Sequence, residues 1–220
     1  MNLTLDQLLQ AFATYNQSIW PAQAIAYGLT LLALLPLLRP SRTATRLTAA
    51  ILAVFWAWIG LMFWWPVRDA FPPAPFLAAV FVLQGIFFLA EVANPHLFFR
   101  LSGDTRSIIG ILLFIYTLIY PLVGMLFGHA YPRMALSALF PCPLVVLTFG
   151  LLLTSQKRIP KHLLVIPFIW GLSGFYWVFF GMREDAGLVV AGLLGTWLIW
   201  RQPREAPLAG QGREAAFPAG

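Results

Sequence analysis

The chain has 220 residues, of which 60% are hydrophobic and only 10% charged, and its formal net charge is +6. A soluble domain carries about 25% charged residues, and no soluble fold of this length hides so much apolar surface. The basic excess does not require nucleic acid, because Lys and Arg fall in the short gaps between apolar runs, where cytoplasmic loops collect them; the single cysteine excludes an intramolecular disulfide and a multi-cysteine zinc site.

Residues 1–18 form the first unit. Leu5, Leu8, Leu9 and Phe12 recur at helical spacing, Asp6, Gln7 and Gln10 take the other face, and Thr4 with Gln7 has the spacing of a capping box. This predicts a short amphipathic helix on the outer membrane surface. No basic n-region precedes the first apolar run, so the stretch is not expected to be a signal peptide. Residues 19–201 hold seven apolar segments, at 19–38, 47–65, 75–93, 107–127, 134–154, 163–181 and 187–200. Most approach the ~20 residues that a helix needs to cross the hydrocarbon layer, and the last is short. Residues 202–220, with Pro203, Pro207, Gly210, Gly212 and Pro218, lack apolar periodicity and are expected to be a disordered cytoplasmic tail.

Charge orients the segments. Arg39, Arg42 and Arg46 follow the first, Arg100 and Arg106 the third, Lys157, Arg158 and Lys161 the fifth, and Arg201, Arg204 and Arg213 the seventh. The opposite side keeps Arg68, Arg133 and Arg183, offset by Asp6, Asp69, Glu184 and Asp185. Under the positive-inside rule the expected fold is all-α: a polytopic transmembrane bundle of about seven spans, N-terminus outside and C-terminus cytoplasmic. Trp20, Trp64, Trp65, Tyr176 and Trp177 fall toward outer helix ends, and Trp197 and Trp200 toward an inner one, as interfacial anchors do. Gly187, Ala191 and Gly195 form a small-residue stripe that serves either packing inside the bundle or self-association.

Three stretches carry a resemblance: YNQSIWPAQ at 15–23, YPLVGMLFGHAYPRMALSALFPCPLVVLTFGLLL at 120–153 and LLVIPFIWGLSGFYWVFFGMREDAGLVVAGLL at 163–194. Their most specific pieces are Gly128-His129-Ala130-Tyr131-Pro132, Pro141-Cys142-Pro143 and Glu184-Asp185. On these the chain resembles a family of bacterial multi-pass membrane proteins of unknown function. The resemblance implies a bacterial inner-membrane setting and transfers no activity.

The residues able to carry chemistry are few. His129 and Cys142 flank the fifth segment near the expected outer face, and Met62, Met125, Met134 and Met182 fall at outer helix ends or loops. Imidazole, thiolate and thioether form a soft set that suits Cu(I), here His129, Cys142, Met125 and Met134. Scattered methionine is also ordinary packing material, and no MxxxM, CxxC or HxxH spacing concentrates the ligands, so no cofactor is predicted beyond this copper reading. Pro141-Cys142-Pro143 is expected to kink or partly unwind the fifth helix. Such a break opens a substrate site in many transporters and is elsewhere a packed kink. Gly128 has the place of a helix cap, leaving His129 either to a loop carbonyl or to a site.

Glu184 and Asp185 precede the seventh segment, where acids favour the helix dipole and cap free N–H groups; facing a cavity with His129 and Arg183, they would bind a cation or relay protons. Gln84, Tyr116 and Tyr120 lie inside spans and are expected to face the bundle, while Glu91 is expected to reach Arg100 or headgroup water. Retinal attachment is excluded, since the only lysines, Lys157 and Lys161, are in a loop, and no catalytic constellation points to an enzyme.

The reading favoured by these residues is an inner-membrane protein with an outer-side pocket between helices four to seven. That pocket, with His129, Cys142, Glu184, Asp185, Tyr120 and Gln84 as its candidate residues, binds or transports a small ligand or ion. Two alternatives stand beside it: a structural or assembly protein that holds a membrane-protein partner or a second copy of itself, and soft-metal handling. Lipid is a partner in all three.

Overall fold

A computed structural model describes residues 4–201, whose regular secondary structure is helical, with one isolated bridge between Phe99 and Ser155. The expected tail at 202–220 lies outside the described residues, as do residues 1–3 of the N-terminal unit.

Helix α1 (Leu5–Ser18) begins with the expected capping box: Gln7 N donates to Thr4 Oγ1 at 3.3 Å and Thr4 N to Gln7 Oε1 at 3.0 Å. The chain then bends by 88° into α2 (Ala22–Leu32) and α3 (Leu35–Leu38). Pro36 sits in the first turn of α3, where its missing N–H leaves no helical bond unmade, and the rod is broken just before it. Helix α4 (Arg42–Trp58) runs on through a π-helical stretch, Ile59–Trp64, and a 3-10 turn, Trp65–Val67. It pairs with α5 (Ala74–Ala93). After α6 (Thr105–Leu126) comes α7 (Pro141–Leu152), then α8 (His162–Phe180) and a last rod built of α9 (Ala186–Val190), a π-helical stretch at Ala191–Gly195 and α10 (Thr196–Trp200).

Among the described residues four helical runs are long and apolar enough to cross a membrane: Arg42–Val67, Ala74–Ala93, Thr105–Leu126 and His162–Phe180. The bent pair of α1 with α2 and α3 makes a fifth if it counts as one span. The segment expected at 187–200 is helical throughout, within the rod Ala186–Trp200, but is not long enough to count as a span, and the one expected at 134–154 is α-helical only over Pro141–Leu152. Helix α7, with 12 residues, reaches only about 18 Å at 1.5 Å per residue.

Helix α7 is the centre of the molecule. Every residue in it except Cys142 is buried, so it has no polar face to turn outward. Its one interior hydroxyl, Thr148 Oγ1, accepts from Trp56 Nε1 at 3.0 Å and donates to Leu144 O at 2.8 Å. Close packing against α6 depends on two facing glycines: a Cβ on Gly110 would lie 2.6 Å from Gly150 O, and one on Gly150 3.0 Å from Gly110 O. The small-residue stripe is likewise used inside the chain. A Cβ on Gly187 would strike the Tyr116 ring at 2.2 Å, one on Gly195 would meet the Phe149 ring at 2.7 Å, and Ala191 is fully buried.

The expected kink at Pro141-Cys142-Pro143 is corrected by the structure: the helix starts at Pro141 rather than bending there. Prolines fit in a first turn, where the N–H groups have no helical acceptor in any case. The apolar run ahead of it, 134–140, is buried but not α-helical, so its carbonyls need partners from elsewhere. Helix α1 supplies them. Asn16 Nδ2 donates to Pro132 O at 2.7 Å and Met134 O at 2.8 Å, and Tyr15 Oη donates to Leu139 O at 3.1 Å. Phe12 and Tyr15 pack their rings against Phe140 at 4.8 and 5.3 Å between centroids. The apolar stripe of α1 therefore covers protein, where the sequence suggested membrane surface.

At the basic end, the loops after α5 and α7 are tied together. Gln156 N donates to Phe98 O at 2.8 Å, Arg100 N to Thr154 O at 3.1 Å and Arg106 Nη2 to Ser155 O at 2.6 Å. Glu91 does not reach Arg100 as expected: its carboxylate is buried and accepts from His96 N at 2.7 Å and Leu97 N at 3.1 Å, with His96 Nδ1 at 3.0 Å. A carboxylate that ends a helix and faces the N–H groups of its own loop is satisfied sooner by them than by a distant guanidinium.

Candidate functional site

The site lies at the end opposite the basic loops. Tyr116 and Tyr120, one turn apart on α6, present their hydroxyls on one face, with ring centroids 5.9 Å apart. Beyond them α6 ends in a Schellman motif: Gly128, at φ 89°, donates its N–H to Met125 O at 3.1 Å and the next residue, His129, to Gly124 O at 3.0 Å. That left-handed turn folds His129 back under the helix end, where it is only 4% exposed.

Glu184 and Asp185 reach the same place from the 3-10 turn Arg183–Asp185, which follows Gly181 at φ 125°. Neither acts as a cap. Asp185 occupies the cap position of α9 yet makes no side-chain cap hydrogen bond, because its carboxylate accepts instead from the Tyr120 hydroxyl. Glu184 Oε1 lies 2.8 Å from His129 Nδ1, and its backbone carbonyl accepts from Tyr116 Oη at 2.5 Å. Glycine makes room for both acids: a Cβ on Gly124 would be 3.3 Å from Glu184 Oε1, and Gly187 lets the Tyr116 ring rest on α9. Cys142, in the first turn of α7, places its thiol against the Asp185 carboxylate, and Trp170 of α8 lies beside that sulfur.

The electrostatics of this cluster are unbalanced. Glu184 and Asp185 are each 1% exposed, and among the described residues the imidazole of His129 is the one side chain hydrogen-bonded to them that can carry positive charge. Arg183 is exposed, and Arg133 pairs with Asp6 of α1. Burial pushes the Asp185 carboxyl up to about 7; the Tyr120 hydrogen bond pulls it back, and the neighbouring Glu184 charge adds to the rise. Glu184 Oε2 is buried with no hydrogen-bond partner. Such an atom costs free energy unless a donor or cation reaches it. Two acids, two phenols, an imidazole and a thiol thus stand together, with one buried carboxylate oxygen left without a donor.

Of the candidate residues named from sequence, Tyr120, His129, Cys142, Glu184 and Asp185 stand together. Gln84 does not join them: it is buried in α5 and donates to Leu163 O, in the first turn of α8, at 3.3 Å. Met125 is 52% exposed and Met134 lies in the buried lead-in to α7, where its carbonyl serves Asn16. Among the described residues no group of three or more His, Cys, Asp or Glu has metal-holding geometry. The sequence reading did not include Tyr116, Gly124 or Trp170 in the site. The i, i+4 spacing of Tyr116 and Tyr120 was the available signal for the first.

No curated protein and no solved structure matches the chain. A family model does match, over residues 5–209, and its description is a family of unknown function, DUF6064; the chain belongs to that family.

Proposed function

We propose that this member of the family is a multi-pass protein of the bacterial cytoplasmic membrane, with its N-terminus outside, and that its acid cluster is an outer-side site for a proton or small cation. The apolar runs of α4, α5, α6 and α8 support the membrane setting. The gathering of Arg39, Arg42, Arg46, Arg100, Arg106, Lys157, Arg158 and Lys161 at the other end supports the orientation. In this frame the loop residue His129 and the Arg183–Asp185 turn lie toward the outside, and α7, too short to span by itself, forms the floor of the site.

The observation that carries the reading is the orphaned Glu184 Oε2, buried one residue away from a second buried carboxylate. Buried acids within membrane proteins mark ion or proton pathways by default, because charge there is too costly to keep without use. The test is thermal unfolding of the purified protein in neutral detergent, with sodium, potassium, magnesium, calcium and pH as the probes. We expect one of them to raise the unfolding temperature of the wild type and to lose that effect in Glu184→Gln, while Asp69→Asn, an exposed acid on the same side, behaves as wild type. If no probe separates the wild type from Glu184→Gln, the site reading is wrong.

A further inference from the structure

The other end of the molecule carries a cleft that the acid cluster does not involve. It has a volume of about 210 Å³ and is lined by Arg42, Pro95, Leu97, Phe98 and Lys157. Three pieces of chain meet there: the first turn of α4, the loop after α5 and the loop after α7. Hydrogen bonds hold them in register. Leu97 N donates to the buried Glu91 at 3.1 Å, Phe98 N to Ser155 Oγ at 3.4 Å and Phe99 N to Thr45 Oγ1 of α4 at 3.4 Å. The cleft is therefore a built feature rather than a gap between mobile loops.

Its chemistry is divided. Arg42 and Lys157 supply positive charge, while the half-buried Pro95 and Phe98 supply an apolar wall seated on the buried Leu97. Arg39, Arg46, Arg100 and Arg158 on the same loops add to the positive field, and Asp104 is occupied by Ser102 Oγ at 2.7 Å and Ser107 N at 2.9 Å. At about 210 Å³ the space is below the roughly 300 Å³ at which small-molecule pockets begin. It suits a phosphate with its glycerol better than a whole metabolite.

We infer that this cleft holds the headgroup of an anionic phospholipid, its phosphate between Arg42 and Lys157 and its glycerol against Pro95 and Phe98. The inference rests on the membrane orientation proposed above and is independent of the acid cluster. Free phosphate shares the anionic chemistry but leaves the apolar wall unused. A basic cleft at the cytoplasmic ends of spanning helices lies at headgroup depth, where lipid is the most abundant anion.

The experiment uses the full-length protein, delipidated in neutral detergent and presented with dioleoylphosphatidylglycerol, dioleoylphosphatidylcholine or inorganic phosphate, with bound molecules counted by native mass spectrometry. One phosphatidylglycerol should be retained per chain, in preference to phosphatidylcholine, and millimolar phosphate should not displace it. Arg42→Ala with Lys157→Ala should weaken retention roughly thirtyfold, as expected for two basic contacts near a lipid surface. Arg39→Ala with Arg158→Ala removes the same charge outside the cleft and should weaken it less than about fivefold. Lys157→Glu alone provides a second variant if the double one fails to fold, and should also release the lipid. Equal loss in both double variants, equal retention of phosphatidylcholine, or displacement by phosphate would each overturn the inference; a result confined to this cleft leaves the acid cluster untouched.

Discussion

Two carboxylate–imidazole pairs stand at opposite ends of this molecule, and they differ in how far each acid is satisfied. Glu91 at the basic end accepts from two backbone N–H groups as well as facing His96, whose side chain is 64% exposed. Glu184 at the other end has one side-chain partner, His129, itself 5% exposed, and an oxygen with none. The first acid is a clasp for its loop. The second is buried without the bonds that would make it structural, and it is beside another buried acid. Residue type and pairing are therefore poor guides to function here; the number of unmet bonds on the carboxylate separates the two acids.

Four outcomes would break or sharpen that contrast. The largest is pH dependence from the acid cluster. Asp185 holds its proton more tightly folded than unfolded, so its contribution to stability is fully present below its unfolded value of 3.8 and is lost as pH rises through about 7. Stability in detergent should fall between about pH 4 and about pH 7, by up to about 4 kcal/mol, with the unfolding temperature falling alongside it, and Asp185→Asn should flatten the profile. Next, Glu91→Ala strips two loop N–H groups of their acceptor and should cost about 3 kcal/mol, whereas Glu184→Gln, which keeps an acceptor for His129 and removes a buried charge, should cost less than about 1 kcal/mol. Similar costs for the two, read from denaturant or thermal unfolding, would erase the distinction. Tyr120→Phe takes away the hydroxyl bonded to Asp185 and should cost about 1–2 kcal/mol above neutrality and less in acid, where the carboxyl is protonated. Smallest is Gly124→Ala: its Cβ would stand 3.3 Å from Glu184 Oε1, so stability should change by less than about 1 kcal/mol while the His129 ring resonances shift.

Much of this was readable along one axis only. Alternating basic loops place Tyr120, His129, Cys142, Glu184 and Asp185 toward one end, because each sits at or near the same kind of helix terminus. They do not reveal lateral position, which is why Gln84, in a neighbouring span, was grouped with them although it serves α8 at Leu163. Whether Asp185 caps its helix or turns to Tyr120 depends on side-chain direction at a tight turn after Gly181, and composition is silent on that. Residues 134–140 illustrate a further limit. An apolar stretch reads the same whether it is helical or merely buried, and the groups that permit the second case, Asn16 and Tyr15, lie more than a hundred residues away. The start of α7 at Pro141 follows from that unseen packing.

The central claim is that the Glu184–Asp185 cluster holds an acid that exchanges its proton near neutrality. Infrared difference spectroscopy of the purified protein across neutral pH tests it most directly. The account predicts a protonated-carboxyl band that titrates with a midpoint near 7, disappears in Asp185→Asn and shifts in Glu184→Gln. A spectrum in which no carboxyl group titrates across neutrality, or in which the band survives Asp185→Asn unchanged, would contradict it.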